Sequence, residues 1–546
     1  MKRKAVAAVL TAVMVASMFT GCGSDNGSSS AKSASAASAA SAANDTVDED
    51  GKVNGIMYQE GLPLVDEGDY TFSIFCDDSS ESGEFIMLDE FKKQTNVDVD
   101  LKIYPYETAT ERLNLDLNSG DYADVIGGWT LSDNAILTYG VNQGVFIPLE
   151  DYFEKYCPNI SAILDLPGVR EKMTAPDGHI YTIPYVCGDT TVGYSPYINT
   201  KWLENVGMSM PTTTDEFEAV LKAFKEQDAN GNGDASDEIP FSTDPNNKHI
   251  EAMAGYFGLP MNKLGIAIQN EKVVYGGVSN TYREFLSWFH KLYAEGLVDV
   301  ELYTQDSSTW EGKGNQDLYG VSIAYGSGEF TGIPAAEERG DFDSMPVLNT
   351  DKDGIWLRDT EGFSVYRTQA VITNKAEHPE IICRWFDNAF ALENGIGCNR
   401  GPVGVIVNKE DDGYHAIDTT TLSEEDQEKY SWGNLWPQSL PKYLPADFEF
   451  VEEHPMYDEK KATEEAYEAN LTKEIIPSYW IDLDKIDTFS DTNTAIKDFF
   501  EQQQAQFVCG ELDIDNDADW QAYVDGMYSL GLEDWVATQG IEEIAK

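Results

Sequence analysis

The chain has 546 residues, 42% of them hydrophobic and 12% aromatic, enough for two or more domains with a sizeable core. Its 96 acidic against 37 basic residues give a formal charge of −59, and such a surface repels phosphate backbones and anionic lipid headgroups. Composition therefore argues against nucleic-acid or peripheral-membrane binding through basic contacts and leaves neutral or cationic ligands.

The N-terminus, MKRKAVAAVLTAVMVASMFTGCG, has a basic start, an apolar run from Ala5 to Met18, and small residues ending at Cys22. This is the pattern of a secretory signal peptide over 1–21, since the run is too short to be read first as a membrane span. Cys22 stands in FTGC, where a bacterial lipoprotein leader places its lipid-modified cysteine, although Phe19 occupies the usual Leu position. Residues 22–65 then read as an anchored cysteine and a tether, because Gly23 to Ala43 is a Ser/Ala/Gly tract with nothing to bury. The expected location is the extracellular face of the membrane, held by lipid. The other six cysteines form no CxxC pair, and no bridge is assigned.

YTFSIFC (70–76) alternates as a first strand, and FIMLDEFKKQTNVDVDLKIYP follows as helix and strand, so the opening unit predicts a parallel sheet. TATERLNLDLNSGDY is a predicted helix, ADVIGGW a buried strand ending in glycines, and TAPDGHIYTIPY a hairpin turning at Asp177-Gly178. A helix is predicted around Phe217, Val220, Leu221 and Phe224, with Thr213 and Glu216 as a capping box. TYREFLSWFHKLYAEGLVD is amphipathic with Gly296 as its stop, and Trp288 and Trp385 sit on helices as core. No tandem repeat is present.

After the Thr213 helix comes DANGNGDASDEIP, which places oxygens at Asp228, Asn230 and Asn232 around two glycines and closes with Asp237 and Glu238. A surface turn does not need so many oxygens, whereas Ca²⁺ takes about 6 to 8 of them. Counting Asp228 as position 1, the backbone carbonyl of Asp234 falls at position 7 and Gly233 at the sharp bend, as in the first half of an EF-hand loop. The second half departs, since position 12 is Ile239 and the acids stand at 10 and 11. A solvated acidic turn is the competing reading. The negative end of the preceding helix dipole would favour the cation.

Catalytic patterns are scarce. The six His show no zinc spacing, and there is no GxSxG elbow or P-loop. GIGCNRGPVG (395–404) is glycine-rich but reads as a loop. Paired carboxylates suit a glycosidase, yet their abundance here follows from composition and no spacing singles out a pair.

Taken in order, LNLDLNSGDYADVI, GVFIPLEDYFEKYCPNI, APDGHIYTIPY, YINTKWLENVGMSMPTTTDEF, the acidic loop with DEIPF, NKAEHPEIICRWFDNAF and GELDIDNDADWQAYVDGMYSLGL resemble the extracellular solute-binding proteins of bacterial ATP-driven sugar importers, in their large lipoprotein branch. The resemblance implies an α/β, two-lobe fold of the type II periplasmic-binding-protein class with a saccharide cleft between the lobes. Chain crossings are then expected near Gly188 to Pro196 and Phe363 to Ile372. Lobe 1 would take 66–192 and about 372–430, and lobe 2 would take 193–371 and about 431–546. It also implies a structural calcium at Asp228, Asn230, Asn232, Asp234, Asp237 and Glu238, away from the sugar.

A sugar needs flat aromatic platforms with polar groups at their edges, and ligands bind where strands of a parallel sheet end. That argument selects Asp77, Asp78, Trp129 and Tyr194, and from the other lobe Trp310, Tyr325, Glu329, and Trp432 or Trp436. The reading is a non-enzymatic, monomeric, lipid-anchored receptor that closes on an oligosaccharide and delivers it to a permease. The alternatives are a surface adhesin or peptide-binding lipoprotein on the same scaffold, or a polysaccharide-cleaving enzyme.

Overall fold

Two main sheets organise the fold. The computed structural model describes residues 45–78, 84–188, 190–245, 249–332, 340–360, 362–445, 448–451 and 455–545. The expected signal peptide, Cys22 and the Ser/Ala tract lie outside them. Among the described residues no helix is long and apolar enough to cross a membrane.

The strands that build the two sheets are, in chain order, β1 (Tyr70–Asp77), β2 (Val97–Tyr104), β3 (Val125–Gly127), β4 (Thr182–Gly188), β5 (Ser195–Asn199), β6 (Ile239–Thr243), β7 (Tyr319–Ala324), β8 (Phe342–Ser344), β9 (Phe363–Ile372) and β10 (Tyr443–Leu444). The first sheet has the order β10-β4-β9-β3-β1-β2, with β9 antiparallel to both neighbours and the other pairs parallel. Both faces of β1 are covered, which is why it is apolar almost throughout. Phe72, Ile74 and Cys76 pack with Phe91 and Trp385 of the helices Ile86–Thr95 and Pro379–Ala389, whereas Phe75 packs with Ala109 and Leu113 of Tyr106–Ser119.

The second sheet runs β8-β5-β7-β6. Val321 and Ile323 of β7 join Phe217, Val220, Leu221 and Phe224 of the helix Thr214–Glu226 in one core, and Tyr197, Trp310, Tyr319, Phe330 and Phe342 form another. Thr213 caps that helix as expected, its hydroxyl accepting the Glu216 N–H at 3.2 Å. The reciprocal half of the capping box differs: the Glu216 carboxylate bonds the N–H and hydroxyl of Thr212, one residue earlier, each at 2.8 Å. Thr213→Ala is expected to cost about 1 kcal/mol, and Thr213→Ser much less, read from chemical-denaturation midpoints. Equal midpoints for the three proteins would mean the cap carries no stability.

The chain passes from the first sheet to the second between β4 and β5 and is back by β9. β9 is itself an interior strand of the first sheet, so this return is complete before Phe363. The span 431–444, expected with the second lobe, also lies on the first sheet. Trp436 fills a gap against Phe91 and Trp385, and β10 pairs with Val186 and Cys187. Two local expectations are corrected. Asp177-Gly178 turns, but a helix, Val169–Met173, stands where a hairpin's first arm would be. GIGCNR belongs to the helix Leu392–Arg400, whose Gly395 and Gly397 let it approach Tyr443 and Met87 more closely than a Cβ would allow.

Candidate functional site

The carboxyl ends of the first sheet gather one set of polar and aromatic side chains. β3 ends in Gly127-Gly128, and Gly128 adopts φ +132° with no room for a Cβ, which would lie 2.5 Å from the Asp77 carboxylate. That close approach lets Asp77 accept the N–H groups of Trp129 at 2.9 Å and Thr130 at 2.6 Å. Burial pushes the Asp77 carboxyl up, against these bonds. Asp77 thus positions the loop, while Trp129 is 44% exposed and meets Tyr366 edge-on at 5.3 Å. Tyr366 stacks on Tyr185 at 5.4 Å, and the Lys442 ammonium lies 5.0 Å from the Tyr185 ring. Asp78 accepts the Gln438 N–H at 2.8 Å, and Gln438 donates in turn to the carbonyl of Trp432. Trp432 is half exposed.

Pro184 in β4 has no N–H to give the ladder, and opposite it β9 bulges, with Tyr366 paired to Tyr185 and Ala370 next paired to Ile183. The bulge re-aims Arg367 and Gln369. Arg367 is 6% exposed; its Nε and Nη2 hold the two oxygens of Asp133, Nη2 also donates to the Tyr479 carbonyl at 2.9 Å, and the guanidinium lies 4.1 Å from the Trp480 ring. Three atoms of this neighbourhood are buried without a protein partner: Arg367 Nη1, Asn134 Oδ1 and Gln369 Oε1. An unmade bond of this kind costs about 1–3 kcal/mol unless water or a ligand supplies it.

A second set lies past the carboxyl ends of β6 and β7 and in the β4–β5 connection. Tyr194 stacks on His249 at 4.0 Å and meets Tyr325 at 6.1 Å, while the Lys460 ammonium sits 3.6 Å from the Tyr325 ring centre. Glu329 accepts the Tyr325 N–H at 2.8 Å. Glu329 keeps exposed surface, but the atoms crowding its carboxyl desolvate it and push it up to about 7, with Asp244 and Glu311 adding to this and that bond and Lys460 opposing it. Solvent screening makes the resulting stability effect small. The neutral form therefore suits the fold, so its contribution is complete below about 4.5 and is lost as pH rises through 7. The melting temperature is expected to fall over that interval, and Glu329→Gln to flatten the slope. An unchanged slope in Glu329→Gln would assign the pH dependence to another group.

Two of the selected tryptophans are core. Asp306 caps the helix Ser307–Asn315, which turns Trp310 inward to bond Ser322 Oγ at 3.2 Å and pack on Phe330. Trp436 is fully buried, as described. Sequence reasoning missed Tyr185, Tyr366, Arg367, Gln369, His249 and Lys460; Pro184 within a strand was the available signal for the bulge. A depression of about 640 Å³ beside Arg283, Trp288 and Lys291 holds none of the selected residues.

The acidic loop closes on itself. Gly231 and Gly233 take φ +76° and +94°, and Asp228 Oδ2 accepts the Gly233 N–H, Asn230 Oδ1 that of Asn232, and Asn232 Oδ1 that of Asp234. Asp234 Oδ1 accepts from Ser236, and the Asp237 carboxylate receives both Asn230 and Asn232 amides. Glu238 Oε1 accepts the Ala229 N–H at 2.9 Å. Asp228 Oδ1 and Glu238 Oε2 are buried with no partner. Two unpaired carboxylate oxygens from opposite ends of an all-oxygen loop fit a hard divalent cation. The loop adjoins the start of β6 and the backbone of Asp317 just before β7, whereas Tyr325 and Glu329 follow the end of β7, about 20 Å away at strand rise.

Comparison with known proteins gives a consistent result. The family model for bacterial extracellular solute-binding proteins matches residues 78–395. Over 411 residues the chain is 31% identical to the fructooligosaccharide ABC transporter substrate-binding protein FusA of Streptococcus pneumoniae serotype 4, spanning 73% of this chain and 70% of that protein. The solved structure of S. pneumoniae FusA with kestose has a TM-score of 0.75 at 26% identity, covering 86% of this chain and 98% of that one. A FusA EF-hand mutant in complex with fructo-nystose has a TM-score of 0.74 at 26% identity with the same coverages.

Proposed function

Because the chain belongs to the bacterial extracellular solute-binding protein family, we propose that it is the oligosaccharide-capturing component of an ABC importer, closing around its ligand and handing it to the permease. The two sheets are the cores of two lobes, and the sets around Trp129 and around Tyr325 are the opposite walls of the cleft. The observation that carries this reading is the Trp129–Tyr366–Tyr185 aromatic series beside unpaired buried polar atoms, since a sugar presents apolar ring faces with hydroxyls at their edges. Selectivity comes from stacking, hydrogen bonds and the free energy of closure, and no bond is broken.

Asp228, Asn230, Asn232, Asp237 and Glu238, with the Asp234 carbonyl, hold a calcium ion that offsets part of the loop's negative charge and staples the helix Thr214–Glu226 to β6. The ion does not touch the ligand, because loop and cleft lie at opposite ends of the same strands. Cys22 carries the lipid anchor on the extracellular face, and the receptor acts as a monomer. Isothermal titration of the protein with kestose, maltotriose and their longer homologues tests the ligand class. Binding of one glycan series with compaction in small-angle scattering is the expected result. The absence of heat with every saccharide would sink the reading.

A further inference from the structure

Two cations at the first-sheet wall, Lys442 and Arg367, are not free charges. Lys442 is fully buried beneath Tyr185 and donates to Gln438 Oε1 at 2.6 Å, and burial pushes its ammonium down to about 8. Arg367 is locked by Asp133 through two nitrogens, which also places the negative partner beside it, and leaves Nη1 as the single nitrogen without a bond. The β9 bulge carries Gln369 Oε1, and Asn134, next in the chain to Asp133, carries the other unpaired acceptor. Asn134 is fixed through its amide, which donates to Ser490 at 3.1 Å.

We propose that the Asp133–Arg367 pair sets the charge preference of the saccharide site: Arg367 Nη1, Asn134 Oδ1 and Gln369 Oε1 take the hydroxyls of a neutral oligosaccharide, and Asp133 cancels the charge that would otherwise recruit a uronate. This rests on the saccharide-binding reading above. One donor and two acceptors complement hydroxyl groups, each of which both donates and accepts. A carboxylate would instead need a bidentate edge of the guanidinium: Asp133 occupies the Nε–Nη2 edge, and at the Nη1–Nη2 edge the second Nη2 hydrogen already goes to the Tyr479 carbonyl, which leaves Nη1 alone.

The test titrates the full chain with neutral trisaccharides, kestose and maltotriose, and with trigalacturonate. Wild type is expected to bind a neutral trisaccharide and to bind trigalacturonate at least 10-fold more weakly. Arg367→Met is expected to weaken neutral binding about 10-fold or more, the loss of a bond to a charged donor. Asp133→Asn should shift the ratio of affinities at least 10-fold toward trigalacturonate. Asn134→Ala, which leaves the ion pair intact and so guards against misfolding of the other two, should lose about 3- to 10-fold on neutral sugar alone. Equal wild-type affinity for trigalacturonate and neutral sugar, or unchanged neutral affinity in Asn134→Ala or in folded Arg367→Met, overturns the proposal while the receptor reading stands. Failure of wild type to bind any saccharide overturns the receptor reading itself.

Discussion

Trp129→Ala is expected to weaken saccharide binding roughly 30-fold or more, while the unliganded melting temperature changes little. The ring is 44% exposed and lies perpendicular to the Tyr366 ring, so its removal opens no core cavity. The bond from its N–H to Asp77 belongs to the backbone and survives the substitution. A large aromatic that anchors a ligand commonly contributes about 2 kcal/mol or more, which is the stated factor. Trp129→Phe keeps a flat apolar face and should lose much less. Calorimetry of the three proteins against the same saccharide decides the matter. If alanine binds as tightly as tryptophan, the ligand rests on the Tyr194–Tyr325 wall instead.

Calcium should act on stability and leave affinity alone. Saturating a site at about a hundredfold excess over its dissociation constant stabilises the folded state by about 2.7 kcal/mol. For the cooperative unit that includes the loop this is a melting shift of roughly 5 °C or more. Scanning calorimetry with calcium and with a chelator should show that difference in the wild type, and Asp228→Ala should abolish it. Saccharide affinity at 25 °C should be equal in both buffers, since the loop adjoins the amino ends of β6 and β7 and the cleft residues follow the carboxyl ends. Identical melting curves would leave the loop a solvated turn. A chelator effect on affinity would place the ion in communication with the cleft.

The two predictions differ in how much of their basis a sequence exposes. The acidic loop was legible because its geometry is local: eleven consecutive residues carry both the ligand spacing and the glycines that permit the bend, and the helix before it announces itself by Thr213 and a regular apolar face. The proposed cleft wall was legible only in part. Gly127-Gly128 marked where β3 ends and exposed Trp129. Trp432 and Trp436, four residues apart in a segment without periodicity, differ only through what folds against them, and the partners of Trp436 come from residues 91 and 385. Trp310 was misplaced because the helix that Asp306 caps, and the face of it that meets β7, show only in the fold. Tyr366 and Arg367 look like strand interior until the bulge opposite Pro184 re-aims them, a relation between residues about 180 positions apart.

The same long reach has a consequence for how the molecule is made. β9, the strand between β3 and β4, arrives only after the entire second sheet, and the edge strand β10 comes later still. A polypeptide emerging amino end first therefore cannot close its first sheet until residue 372 has appeared, or finish it before residue 444. At about 5–20 residues per second of synthesis, that leaves β1 to β4 waiting on the order of ten seconds or more with unpaired edges. A chain that must stay unfolded while it is threaded through a membrane gains from this delay, and one stalled at mid-length presents apolar strands to its neighbours. Ribosome-stalled or truncated forms ending before Phe363 should accordingly be bound by chaperones and degraded, with little of the first lobe resisting protease.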